Sequence, residues 1–329
     1  MPDPAPPTAP LPPLPPGAWH PRHWPGWLGV AFGWCAARLP TALQHRLGAL
    51  LGRLLGALAP RRRRAIATNL ALCFPALDAA GRAALLRENL RQSGIGLFEF
   101  LRAWWGRVGE ASPRYTVAGL QQLEALRSQG RGVLLVSAHF VHLELCARLL
   151  TRHVPVAGMY RPHGSVAMEW AVKAGRLRYA CAMFTREELR PALKHLKAGG
   201  ILWFAPDQES RRGESVFVPF FGRPAWSLTS THQLARLSGA AVCPFFHERL
   251  ADGSYRLEVQ APLADFPTAD AGADTARVMA ALEAMIRRAP AQYLWLHQRF
   301  KTQPTLDRGA LFRVRAGPPP AQSPPMFGR

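Results

Sequence analysis

The chain has 329 residues, 48% of them apolar or aromatic and 19% charged, enough to bury one large core or two modest ones and too apolar for a disordered chain. Its 41 Lys and Arg against 21 Asp and Glu give a formal charge of +20, so the expected partners are anionic: nucleic acid, anionic lipid or an acidic protein. Five scattered cysteines with no Cys-x-x-Cys pair argue against a disulfide framework or a zinc finger and point to a reducing compartment.

Residues 1–18 are Pro-rich and expected to be disordered, without the basic-then-apolar order of a secretory signal. From Pro4 to Leu77 there is no Asp or Glu, while Arg22, Arg38, Arg46, Arg53 and Arg61 to Arg64 fall there beside Trp19, Trp24, Trp27 and Trp34. Tryptophan favours the headgroup level of a bilayer and arginine meets lipid phosphates, so residues 19–64 read as membrane-associating helices on an anionic membrane surface. A soluble basic helical pair is the alternative. The uncharged run from Pro25 to Ala37 is shorter than the roughly 20 residues of a spanning helix, which favours helices lying on the bilayer, and the Arg61 to Arg64 cluster points to a cytoplasmic face. Nucleic acid is disfavoured, because no nucleic-acid motif appears and the basic stretch is interleaved with Leu, Ala and Trp.

Asp78 is a plausible N-cap for a helix through Arg82, Leu86, Leu90 and Arg91 that continues past Gly94 and Gly96 to Trp105. Strand and helix then alternate: strands at 132–136, 154–160, 201–205 and 241–248, and helices at 141–150, 166–178, 187–197 and 229–238. Residues 255–260 pair back across an Asp252-Gly253 turn. Helices at 274–288 and 292–300 close a domain spanning 65–302, and 303–329 is a Pro-rich, largely disordered tail. This order predicts an α/β fold with a mixed sheet flanked by helices.

The segment Ser137-Ala-His139-Phe-Val-His142-Leu-Glu144 follows a buried strand, the usual position of functional groups in an open α/β sheet. With His139 in the turn outside the helix, Glu144 can reach its ring. A carboxylate on one imidazole nitrogen fixes the tautomer while the other nitrogen takes a proton from a hydroxyl, which describes a general base. The spacing alone is weak evidence, since His247 and Asp252 share it and are assigned to a hairpin strand and its turn. A metal set of His139, His142 and Glu144, with His153 and His163 following, fits neither His-Glu-x-x-His nor a cysteine-bearing pattern, and no metal is expected. Ser137 lacks a Gly-x-Ser-x-Gly elbow, and Cys146 reads as core. Arg161, Arg176, Arg178, Arg211, Arg212 and Arg223 cluster after the strands, where guanidinium groups suit phosphate or carboxylate; a solvated basic face is the bland alternative.

Taken together, Asn69-Leu-Ala-Leu-Cys-Phe-Pro75, Ser137-Ala-His139-Phe-Val-His-Leu-Glu144, Tyr160-Arg161-Pro162, Gly175-Arg176-Leu177-Arg178, Ala205-Pro206-Asp207 and Ser215-Val-Phe-Val-Pro219-Phe-Phe-Gly222 resemble, in order and spacing over about residues 25 to 300, the bacterial lipid A late acyltransferases of the lysophospholipid acyltransferase superfamily. The resemblance implies a glycerolipid-acyltransferase-like fold and an inner-membrane enzyme on the cytoplasmic face. Such an enzyme moves a fatty acyl chain from acyl carrier protein to a 3-hydroxyacyl hydroxyl of a lipid A precursor, without a cofactor. It makes His139 the base, Glu144 the group that orients it, and Arg161, Asp207, Arg176 and Arg178 substrate-binding residues. The Glu-Gly-x-Arg type block of the glycerophosphate acyltransferases is absent, Pro206-Asp207-Gln208-Glu209 standing in that region, which disfavours glycerolipid acceptors. His142 stands where a small polar residue is expected. Phe217, Phe220 and Phe221, or Trp104 and Trp105, are candidates to line a hydrocarbon pocket. The rivals are another anionic glycolipid acceptor, such as a phosphatidylinositol mannoside, and a non-catalytic basic membrane-binding protein.

Overall fold

The computed structural model describes residues 12–108, 113–210 and 213–313; Arg211, Arg212 and the outer parts of both Pro-rich ends lie outside them. Four helices come first: α1 (Trp24–Ala36), α2 (Thr41–Leu58), α3 (Pro60–Cys73) and α4 (Ala79–Trp105). Pro40 precludes a continuous helix through 36–41, and the turn is closed by the buried Gln44 amide, which donates to the carbonyls of Ala36, Ala37 and Leu39. As expected, Asp78 caps α4, its carboxylate accepting from Gly81 N–H at 2.7 Å. Helix α2 lies against α4 at a distance only glycine allows: a Cβ on Gly52 would meet the Leu90 carbonyl at 2.1 Å, and one on Gly94 the Gly48 carbonyl at 2.0 Å. The acid-free N-terminal region is thus built onto the body of the protein. Among the described residues no helix is long and apolar enough to cross a membrane.

The body follows as β1 (Tyr115–Ala118), α5 (Leu120–Ser128), β2 (Val133–Val136), α6 (Leu143–Leu150), β3 (Val156–Tyr160), α7 (Val166–Leu177), β4 (Met183–Thr185), α8 (Leu189–Lys197) and β5 (Ile201–Phe204). Next come β6 (Ser215–Phe220), β7 (Arg223–Leu228), α9 (Ser230–Ser238), β8 (Ala241–Arg249), β9 (Tyr255–Val259), α10 (Ala271–Arg288) and the short α11 (Ala310–Arg313). Seven strands form one mixed sheet in the order β1-β9-β8-β2-β5-β3-β4, in which only the β8–β9 pairing is antiparallel. The central strands read as unbroken apolar runs because both faces are covered. Leu134, Val136, Leu202 and Val242 enter one core with α3, α9 and α10, while Val133, Leu135, Ile201 and Cys243 enter the other with α5 and α6.

The α/β class, the mixed sheet and the Asp252-Gly253 hairpin agree with the sequence reading. Besides β1, α5 and β4, which the sequence reading does not include, three points differ. Ser215–Phe220 and Arg223–Leu228 form a separate two-stranded hairpin. The expected helix at 292–300 is absent: one turn of 3-10 helix ends at Gln292, and the chain continues in irregular form past Tyr293 and His297. The inner parts of the ends are packed, with Pro12 accepting a hydrogen bond from Trp170, Ala18 buried, and Phe312 buried against the core.

Candidate active site

Strands β2 and β5 are parallel neighbours with Val136 beside Phe204, so His139 and Asp207, each three residues further on, emerge at the same edge of the sheet. There they meet. Asp207 is fully buried; its Oδ1 lies 2.5 Å from His139 Nδ1, while Oδ2 accepts from the His139 backbone N–H at 3.1 Å and the Tyr293 hydroxyl at 2.8 Å. Burial pushes this carboxyl up, but the His139 charge and the three hydrogen bonds outweigh burial and hold it at about 2. An ionised carboxylate only accepts, so Nδ1 carries the imidazole proton and Nε2 presents its lone pair. The His139 side chain is one-third exposed, and among the described residues Nε2 has no hydrogen-bond partner.

The segment that brings Tyr293 is held by side-chain amides. Asn69 on α3 donates to the carbonyls of Trp295 and His297 at 2.8 and 2.6 Å, and Asn89 on α4 to those of Ala291 and Tyr293 at 2.9 and 2.7 Å. Leu294 N–H donates to the His139 carbonyl, and Val141 N–H to that of Gln292, laying the segment along the turn that carries His139. His297 thereby stands with its ring centroid 6.3 Å from that of His139; burial, and then a charge on His139, lower its pKa.

From His139 a cavity of about 530 Å³ runs into the protein, walled by Leu97, Phe100, Met159, Val172, Met183 and Trp203. Gly96 and Gly158 line it without side chains. Arg161 stands exposed at its rim, and Tyr160 is fixed beside it, its hydroxyl donating to Glu169 at 2.7 Å.

Glu144 does not take the place the five-residue spacing suggested. Because α6 begins at Leu143, the carboxylate swings toward α4 and α7, where it accepts from Arg176 Nε at 2.9 Å and Nη2 at 2.5 Å, Tyr179 Oη at 2.5 Å and Trp104 Nε1 at 2.9 Å. Burial pushes its carboxyl up, but Arg176 and these bonds draw it below the ordinary value. Glu144 and Arg176 both touch the cavity wall as one ion pair, its carboxylate buried and its guanidinium half-buried. Arg178 is exposed at the end of α7 and does not line the cavity, nor do Phe217, Phe220, Phe221, Trp104 or Trp105; Phe220, Phe221 and Trp104 are core. Arg223 is turned to the Leu72 carbonyl. Tyr293, His297, Asn69 and Asn89 are the site residues that sequence spacing did not assign, since all act across more than 80 positions of chain.

Residues 15–302 match the family model described as bacterial lipid A biosynthesis acyltransferase. The chain is 38% identical to the lipid A biosynthesis lauroyltransferase of Escherichia coli K12 and 39% to its palmitoleoyltransferase, each over 87% of this chain and 94% of the relative. It is 27% identical to the lipid A biosynthesis myristoyltransferase of the same organism, over 86% of this chain and 89% of the relative.

Proposed function

The chain belongs to the bacterial lipid A biosynthesis acyltransferases, and from that premise we propose that it moves a fatty acyl chain from acyl carrier protein to the hydroxyl of a 3-hydroxyacyl chain on a lipid A precursor. One observation carries the mechanism: an imidazole whose Nδ1 is held by a buried carboxylate lines a largely apolar cavity, with its Nε2 unpartnered among the described residues. His139 Nε2 takes the proton of the acceptor hydroxyl, whose oxygen attacks the thioester carbonyl carbon. The C–S bond breaks as the tetrahedral intermediate collapses, and the departing thiolate takes the proton from the imidazolium. Asp207 holds the ring and stabilises its charged form, the part the sequence reading gave to Glu144. The thioester is already activated, so proton removal and positioning suffice and no covalent enzyme intermediate is needed.

The donor acyl chain lies in the cavity between α4, β3 and α7, and Arg161 at the rim meets anionic groups of a substrate. Arg176, with its partner Glu144, shapes the wall of that cavity. Attachment to an anionic membrane surface uses α1 and α2. Leu28 and Phe32 on α1 and Leu47, Leu50 and Leu54 on α2 are exposed, beside the exposed Arg46, Arg53 and Arg61 to Arg64. A basic surface also suits an acidic carrier protein.

The test is an assay with membranes containing the protein, a labelled lipid A precursor and a panel of acyl carrier protein thioesters, read by mass. A product heavier by one acyl chain, absent with His139→Ala, supports the reading; no product with any thioester from folded protein refutes it.

A further inference from the structure

Beneath the catalytic turn lies a second cluster that the acyl transfer does not use. His142, Cys146 and His247 are all fully buried, and each offers a ligand atom within 4.8 Å of the others. His142 ends the turn before α6, Cys146 lies one helical turn further on, and His247 faces them from β8. His142 Nε2 is 3.2 Å from the His247 carbonyl oxygen, which can only accept, so Nε2 carries the proton and Nδ1 the lone pair. His247 Nε2 is 3.3 Å from Ser137 Oγ, and when that hydroxyl donates to the Ala138 carbonyl at 3.4 Å, Nε2 donates to Oγ and Nδ1 is left with its lone pair. Neither Nδ1 has a partner among the described residues. Two unpartnered ring nitrogens buried beside a thiol are costly in a folded core unless a ligand sits between them.

We propose that His142, Cys146 and His247 bind one thiophilic metal cation, copper(I) or zinc, which ties α6 to β8 below the turn that carries His139. The site stands independently of the acyl-transfer reading. Two imidazoles and a thiolate suit a soft or borderline cation, and each histidine already has its second nitrogen engaged, as metal-bound histidines do. Binding exchanges the Cys146 thiol proton for the metal: an S–H bond breaks, an S–metal bond forms, and one proton leaves to solvent. Copper(I) with one thiolate makes a centre of no net charge, which three neutral or mono-anionic donors complete in a buried site. Zinc leaves one positive charge, and the buried Glu99 carboxylate nearby is already paired with Arg249, whose positive field also reaches His142 and Cys146. The balance of charge favours copper(I).

The full-length protein, purified in detergent from cells grown with added copper or added zinc, is assayed for metal per chain. The same protein, stripped with a chelator, is titrated with copper(I) against a competing chelator, and with cobalt(II) as a coloured stand-in for zinc. The expected result is one equivalent per chain, release of one proton, a rise in melting temperature on loading and, with cobalt, a thiolate charge-transfer band. All are lost in Cys146→Ala and His247→Leu. Which cation fills the site in the growth experiment identifies it. No stoichiometric metal in any arm, or binding that persists in both variants, overturns the proposal. Should the variants fail to fold, the native chain decides: failure to take up one equivalent of copper(I), together with the absence of a thiolate band on cobalt treatment, overturns the proposal.

Discussion

Replacing Asp207 by asparagine keeps the size of the side chain and removes its charge from beside His139. The native carboxyl falls from 3.8 to about 2 although it is fully buried, a net preference for the charged form of about 2 kcal/mol. Burial opposes that preference, so the attraction supplied by the His139 charge and the three donors is larger than the net value. By reciprocity the part that comes from the imidazolium also stabilises the imidazolium, the species that forms when Nε2 takes the hydroxyl proton. The Asp207→Asn enzyme loses this stabilisation, and with the new amide turned it presents N–H to Nδ1 and favours the wrong tautomer. The expected fall in kcat for acyl transfer is about 10²- to 10³-fold, within the range of a general base, with KM for the thioester little changed. Mass-resolved assay of initial rates against thioester concentration measures both. The sign of the stability effect follows from the lowered pKa: the contribution of Asp207 is present above the ordinary carboxylate value and is lost as pH falls toward the folded value. The difference in denaturant stability between native chain and Asp207→Asn should therefore narrow between about pH 4 and about pH 2. A folded Asp207→Asn enzyme within about tenfold of the native rate would refute the pairing.

Glu144→Gln takes the charge from the buried side of its ion pair with the half-buried Arg176 and should cost about 3 kcal/mol of stability, measured by chemical denaturation, while kcat of the folded variant falls by less than about tenfold. A loss of about 10²-fold or more with unchanged stability would return Glu144 to the role its spacing suggested. Gly158→Val should narrow the cavity, since even a Cβ would lie 3.0 Å from the end of Met183. The preferred thioester should shorten by two or more carbons; at about 0.8 kcal/mol per buried methylene, two carbons amount to roughly 15-fold in relative kcat/KM. The joint substitution of Leu47, Leu50 and Leu54 by serine should reduce sedimentation with anionic vesicles and leave the melting temperature unchanged, because these side chains are exposed. Deleting residues 1–64 would be a poorer test, as it uncovers the face of α4 on which Gly48 and Gly52 lie.

What was legible in the sequence was local. Val133 to Val136 and Ile201 to Phe204 announce strands buried on both faces, Asp78 caps the long helix, and Asp252-Gly253 turns the β8–β9 hairpin. His139 stood out because it follows a buried strand, but its partner could not be read from nearby sequence. The bond to Asp207 spans 68 positions, and it became legible only through strand order, since β2 and β5 are neighbours and each residue lies three past the paired strand ends. The spacing to Glu144 misled because helix α6 starts one residue before it and turns its carboxylate toward Arg176. Tyr293, Leu296 and Phe300, at i, i+3 and i+7, imitate a helical apolar face, yet Asn69 and Asn89 claim the carbonyls that a helix would have used internally. His142 and His247 looked unrelated for the same reason: only the packing of α6 on β8 brings them together.

Whether His139 Nε2, held by Asp207, takes the acceptor proton is measured most directly by the single-turnover rate of acyl transfer to a lipid A precursor by native chain and by His139→Ala, with folding checked by melting temperature. The native chain should give a product one acyl chain heavier, and the variant should lose at least about 10²-fold in rate. A folded His139→Ala protein that transfers the chain within about tenfold of the native rate would contradict that role.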